Sequence, residues 1–261
     1  IFASIPDPSP PLCFNDPTLV LIDTVYGGAG KSLAEFTYTI DNNGLEFPVD
    51  QPATVFAGVH TISIFDPYGC SFTDTFEVVQ PAELQVFFNP SVIDVELGDS
   101  LTRLEPVIVS DLPIQVYNWT PGDWLSATDV ERPFVQPLED QTYVLEVVDI
   151  NGCASSAQVE VRIDANRNIY IPNIFSPDGD GLNDYFSVYA CRGVKRIISA
   201  HIFDRWGNLI YQGSELAPVC QGIGTQIWDG TFNGQELNPA SFVYIVQVEF
   251  LDDLVLTYRG T

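Results

Sequence analysis

The sequence predicts an all-β protein made of three tandem Ig-like β-sandwich domains. Its apolar stretches are short, β-branched and aromatic, and they alternate with period two, as in TFEVVQ (75–80), TYVLEVVD (142–149) and SFVYIVQVEF (241–250). That is the pattern of a strand with one buried face. Nineteen glycines and nineteen prolines, together with Asn and Asp clusters, punctuate the chain at intervals of about 8–12 residues, the spacing of sandwich strands. No run carries apolar residues at three-four spacing over several turns, so no amphipathic helix is expected.

The 261 residues suggest about two domains at roughly 150 residues each, and an internal repeat raises that to three. ISIFDPYGCSFTDTFEVV (62–79) and LEVVDINGCASSAQVEVR (145–162) both read strand, Asp-x-x-Gly-Cys, polar stretch, strand. Asp66 and Asp149, Gly69 and Gly152, and Cys70 and Cys153 match at one constant offset. The implied turn uses an Asp side chain to cap backbone amides and a Gly to supply positive φ. The predicted domains are residues 1–84, 85–166 and 167–261.

Acidic residues number 35 against 10 basic, a formal net charge of −25. A surface this negative repels phosphate, so nucleic acid is not an expected partner. Apolar residues at 46% are enough for packed cores, which separates the chain from a disordered acidic tail. No apolar run reaches the roughly 18–20 residues of a membrane-spanning helix. The absence of methionine, with Ile1 first, is expected of a processed chain or a fragment whose signal peptide would lie upstream. The charge is uneven: residues 1–84 hold 11 acids and one base (net −10), 85–166 hold 14 and three (net −11), and 167–261 hold 10 and six (net −4). The last stretch therefore has a different surface chemistry.

Of five cysteines, Cys13 and Cys70 lie at opposite ends of the first predicted domain, and Cys191 and Cys220 lie in the third. Either pair can close a disulfide, which implies an oxidising, extracytoplasmic location. Cys153 is left over and is expected to be a buried thiol, with an intermolecular partner as the alternative. No close Cys or His spacing suggests structural zinc.

Catalytic signatures are not found. GGAGKS (27–32) lacks the first glycine of a phosphate-binding loop, and the following LAEFTYTI alternates as a strand where that motif opens a helix. His60 and His201 stand in strand-like stretches with no nucleophile nearby and are expected to face solvent. One segment has ligand chemistry. SPDGDGLNDYF (176–186) places Asp178, Asp180, Asn183 and Asp184 on a glycine-rich loop, and hard cations such as Ca²⁺ take six to eight oxygens from such loops. It departs from an EF-hand loop, with Tyr189 in the last ligand position. The competing reading is a loop of Asp-capped turns that holds no metal.

The third domain carries IPNIFSPDGDGLNDYF (171–186), IFDRWGNLIY (202–211), WDGTFNGQEL (228–237) and FVYIVQVEFLDDLVLTYRGT (242–261) in order. This resembles the gliding-motility-associated C-terminal domain, the type B sorting domain of the Bacteroidota type IX secretion system. Asp178 and Asp204 stand where that family usually has Asn, and Ala240-Ser241 replace its usual Pro/Gly. Residues 12–84 resemble an SprB-type repeat, and VYNWTP (116–121) with TYVLEVVDINGC (142–153) resembles PKD-like or Ig-like modules of the same surface proteins.

The resemblance implies a secreted cell-surface protein, an adhesin or gliding-type filament, associated with the outer membrane. Its terminal domain is recognised by the type IX translocon and held by a PorP/SprF-type outer-membrane β-barrel, with no covalent chemistry in the chain. Partner-binding candidates are the cationic residues Arg192, Lys195, Arg196 and Arg205, together with Trp206 and Trp228. Each Trp sits beside a Gly in a turn, as a plug for the end of the sandwich or as an exposed anchor. The alternative function is a Ca²⁺-dependent carbohydrate-binding tail of a secreted hydrolase.

Overall fold

The computed structural model describes residues 1–261 except Pro6, Asn168 and Gln221. The architecture is all-β, and the described residues contain no α-helix, only one 3-10 turn at Leu33–Glu35. That turn occupies the start of LAEFTYTI, where an alternating strand is predicted; the strand itself begins at Thr37.

Three four-stranded sheets carry the fold. The first comprises β1 (Thr37–Ile40), β2 (Phe47–Pro48), β3 (Gly58–Phe65) and β4 (Ser71–Val78), in the order β2-β1-β3-β4. The second comprises β5 (Val92–Glu96), β6 (Ile114–Thr120), β7 (Gln141–Asp149) and β8 (Ala154–Asp164), in the order β5-β8-β7-β6, with β5 parallel to β8. The third comprises β9 (Val194–Phe203), β10 (Leu209–Leu216), β11 (Val243–Phe250) and β12 (Val255–Gly260), in the order β10-β9-β11-β12. Shorter pairs accompany them, among them Thr18–Val20 with Ala53–Val55 and Phe186–Val188 with Thr225–Trp228.

The chain divides into two compact units. One holds Ile1–Phe87, Pro106–Asn118 and Leu145–Ala157; the other holds Phe88–Glu105, Trp119–Val144 and Gln158–Thr261. The predicted middle stretch is thus shared out between them.

The first unit packs Val20, Ile22, Phe36, Tyr38, Ile62 and Ile64 into one core. His60 corrects an expectation. It follows the same period-two face as Ile62 and Ile64, pairs across the sheet with Phe76 and stacks on that ring at 5.4 Å. Its side chain is only 15% exposed.

The second unit has two apolar centres. In one, Trp119 is buried against Phe88 and donates its Nε1–H to the Val130 carbonyl at 2.8 Å. The other gathers Val188, Ile197, Ala200, Val246, Val248 and Phe250. The inward alternation of β11 holds from Tyr244 to Phe250, but Leu254 on the return strand is exposed because it lies at the exit of a turn.

Four hairpins share one turn. In Asp66–Cys70, Asp149–Cys153, Asp204–Asn208 and Phe250–Leu254, the first N–H donates to the fifth carbonyl and the fourth N–H donates to the first carbonyl. The fourth residue has positive φ: Gly69 84°, Gly152 88°, Gly207 85° and Asp253 61°. This is a type I turn followed by a left-handed bulge residue. In the first three, the leading Asp also accepts the N–H groups of the third and fifth residues through Oδ1.

The disulfides correct the cysteine assignment. Cys13 bonds to Cys153, not to Cys70, so Cys153 is not a buried thiol, and Cys70 is free and exposed. The segment around Cys13 comes to the Asp149 turn, forming with it a cleft of about 460 Å³ that also borders Pro81–Leu84 and Ser110–Leu112. Spacing along the chain favoured Cys70; the approach of this segment in space decides for Cys153. Cys191 bonds to Cys220.

Candidate functional site

The motifs of residues 169–261 form loops around the third sheet. In the 176–186 loop, the carboxylates of Asp178, Asp180 and Asp184 offer oxygens within 4.8 Å of one another. Backbone donors already hold them. Gly179 N–H donates to Asp184 Oδ1 at 2.7 Å, Gly181 N–H to Asp184 Oδ2 at 2.9 Å, and Leu182 N–H to Asp180 Oδ1 at 2.8 Å. Asn183, at φ 56°, accepts the Ser176 N–H through its carbonyl. The loop is therefore a run of Asp-capped turns that also brings three like charges together. A hard divalent cation fits that donor set, since oxygen ligands satisfy it and its charge would relieve the repulsion.

The two tryptophan turns differ. Trp228 ends its strand pointing inward and is 3% exposed. Its Nε1–H donates to the Thr231 carbonyl at 2.8 Å, and its ring lies 4.9 Å from Phe242 and 5.5 Å from Phe175. It plugs the sandwich and is not available as a partner anchor. Trp206 occupies the third position of the Asp204 turn and is 77% exposed. Arg205 lies over its ring at 5.1 Å. The Asn208 side chain, then backbone N–H groups of the turn, hold the Asp204 carboxyl below the usual carboxylate range, so the turn is braced by an ionised group.

The expected cationic patch is mostly neutralised. Lys195 pairs with Glu249 at 3.0 Å and with Asp253 at 2.6 Å. Arg196 pairs with Glu249 at 2.5 Å and with Glu215. Arg192 reaches Glu96 at 2.8 Å and Asp99 at 3.2 Å. Hydrogen bonds from Lys195 and then Arg196 hold the Glu249 carboxyl below its ordinary value. The cause is register: Arg196 is directly opposite Glu249 across β9 and β11. Of the four cations singled out, Arg205 alone has no carboxylate partner among the described residues.

A groove of about 680 Å³ opens beside these loops, with Phe175, Trp228, Phe242 and Tyr244 among its lining and Ile174 and Thr261 on its margin. Ile174 is 79% exposed.

Sequence reasoning missed three further contacts in this unit. Arg167 pairs with Asp252 and lies over the Phe250 ring at 4.6 Å. Gly98 approaches Gly193 so closely that a Cβ there would meet the Gly193 nitrogen at 2.3 Å. Leu251 N–H donates to the Gly193 carbonyl at 2.8 Å. The Arg167 pair joins residues 85 apart in the chain and the glycine contact depends on how two segments approach, so neither had a signal in the sequence.

The blocks at 171–186, 202–211 and 228–237 thus lie on one unit and supply its exposed loops and its aromatic plug. Residues 169–256 match the CHU_C type IX secretion signal domain. No curated protein matches the chain. Among solved structures, the chain is similar to the three N-terminal domains of the bacteriophage RB49 Highly Immunogenic Outer Capsid protein, at 13% identity over 99% of this chain and 96% of that one, TM-score 0.34. It is similar to Sidekick-1 immunoglobulin domains 1–5 at 9% identity over 99% of this chain, TM-score 0.38, and spans 58% of that chain. It is also similar to Drosophila OTK extracellular domains 3–5, at 9% identity over 94% and 90%, TM-score 0.29. Within the matched residues, Trp228 is a core residue, and Arg205 and Trp206 stand at a braced, accessible tip. No described helix is long and apolar enough to cross a membrane.

Proposed function

We propose that residues 167–261 are read as a folded signal by the type IX translocon, and that they carry the rest of the chain to the surface of a Bacteroidota cell. The whole is an adhesin or gliding-type surface protein, and the chain acts by being recognised, with no bond-making chemistry of its own. At the outer membrane a PorP/SprF-type β-barrel holds it. The observation that carries this reading is the match of residues 169–256 to the secretion signal domain.

Arg205 and Trp206 are the contact we assign to the barrel partner. Exposed Trp and Arg dominate binding energy at protein interfaces, and the Asp204 turn presents them with little ordering cost. The test is capture of the barrel protein from outer-membrane extract by the intact chain. Trp206→Ala with Arg205→Glu should lose the barrel while the protein stays folded; undiminished capture would refute the assignment. We further assign Ca²⁺ to Asp178, Asp180 and Asp184, a role within the signal domain that stabilises the loop. A calorimetric melt should rise with millimolar Ca²⁺ and return with chelator, and an unchanged melt would retire the site.

A further inference from the structure

Cys70 and Cys153 occupy the same place in the same turn. Each is the fifth residue of an Asp-x-x-Gly-Cys hairpin, and in each the leading Asp accepts the cysteine N–H through Oδ1, at 2.9 Å for Cys70 and 3.0 Å for Cys153. Each opens a long strand, β4 or β8. One of the two is already bonded: Cys153 takes Cys13, which lies 140 residues earlier in a Pro-Pro-Leu-Cys-Phe segment. The turn cysteine is thus bridged to the segment that leads into the preceding repeat.

The rest of the chain follows the same rule. Where the repeat offset places the counterpart of Cys13, the sequence has Glu96, and the next turn of this type carries Asn208 in the cysteine position. Turn cysteine and upstream cysteine are present together or absent together. Cys70 breaks that rule within residues 1–261, since its thiol is free and exposed.

Its surroundings also differ from those of a bare surface thiol. Tyr68, Phe2 and Tyr26 are 82%, 71% and 62% exposed. Phe2 is paired across strands with Tyr26 and lies 6.2 Å from the ring of Phe72, two residues beyond Cys70. At the Cys153 turn, the neighbours Leu12 and Phe14 of the incoming cysteine help line the cleft. An uncovered aromatic surface beside Cys70 suits a segment of the same apolar-Cys-apolar kind.

We infer that Cys70 forms a disulfide with a cysteine of the same polypeptide that lies upstream of residue 1, in a segment like 10–14, so that successive repeats are stapled covalently. Two thiols lose two protons and two electrons to the disulfide of a protein thiol oxidant, the same class of oxidant that closing Cys13–Cys153 requires. The inference rests on the exported, oxidising setting proposed above.

The test takes the intact protein from producing cells, blocks free thiols at lysis, digests without reduction and maps linked peptides by mass spectrometry. The expected result is Cys70 linked to an upstream cysteine of the same chain, with the protein monomeric on a non-reducing gel. Cys70→Ser should then expose that upstream cysteine to the blocking reagent and leave Cys13–Cys153 closed. A free Cys70, a small-thiol adduct, a link to a second copy, or a polypeptide with no upstream cysteine would each overturn the inference. If Cys70 is free while Cys13–Cys153 and Cys191–Cys220 are closed, the inference alone fails. If every cysteine is reduced, the export reading fails with it.

Discussion

Gly98→Ala tests the close joint in the second unit. Gly98 sits at φ 83° in the turn after β5, and a Cβ there would lie 2.3 Å from the Gly193 nitrogen and 2.9 Å from its Cα. Both neighbours are backbone, so no side chain can swing away. Holding an L-residue in the left-handed region costs about 1–2 kcal/mol, and displacing packed backbone adds about 1–3 kcal/mol by the scale of overpacked cores. Moving Gly193 would also strain its carbonyl's bond to Leu251 N–H and the adjacent Arg192 pairs with Glu96 and Asp99. Gly207→Ala is the control, because that position has φ 85° and nothing within 4 Å of the added carbon. Chemical denaturation of both variants should show Gly98→Ala losing more than Gly207→Ala by about 1–3 kcal/mol. Equal losses would refute the close approach as a structural constraint.

The two disulfides should differ in worth: chain entropy assigns about 5 kcal/mol to Cys13–Cys153 and about 3.6 kcal/mol to Cys191–Cys220, from separations of 140 and 29 residues. Denaturation of the paired serine variants should follow that order. For pH, both ring nitrogens of His60 face acceptors, Asp41 Oδ2 at 2.7 Å and the Phe56 carbonyl at 2.9 Å, which only imidazolium satisfies. Burial opposes that charge, but the bonds to Asp41 and Phe56 outweigh it and raise the pKa above 6.5, while the His60 hydrogen bond first, with that of Thr61, lowers Asp41 below 3.8. The His60 contribution is full below about 6.5 and is lost as pH rises through the folded value; the Asp41 contribution is present above about 3.8 and is lost as pH falls. With Asp41 half exposed, the wild-type advantage over Asp41→Asn should peak between those values at under about 1 kcal/mol, read from melts across pH; a flat difference would refute it. Trp228→Ala should cost about 3–5 kcal/mol and Trp206→Ala under about 0.5 kcal/mol, by thermal melts.

What the sequence disclosed was local. β7 buries Tyr143, Leu145, Val147 and Asp149 at alternate positions, as its period-two pattern requires. The Asp-capped turns were legible because donor and acceptor lie within five residues. His60 was legible in principle, since it shares the alternation of Ile62 and Ile64. Pairings across long separations were not. Whether Cys153 meets Cys13, or Arg196 meets Glu249, depends on register and segment approach, which composition does not encode. Trp206 and Trp228 read alike as Trp beside Gly in a turn. One occupies the third position of a hairpin tip and the other the last inward position of a strand, and only the three-dimensional turn separates them. The acidic loop was legible as Asp178, Asp180, Asn183 and Asp184 on a glycine-rich loop and, in the competing reading, as Asp-capped turns, while the convergence of three of its carboxylates emerged only from the fold.

The central claim is that residues 167–261 act as a type IX secretion signal. The direct measurement is surface display of the intact chain in a Bacteroidota strain, compared with an otherwise identical strain lacking the type IX translocon. Display should be lost in the deletion strain, with the folded chain retained inside the outer membrane. Equal display in both strains would contradict the account.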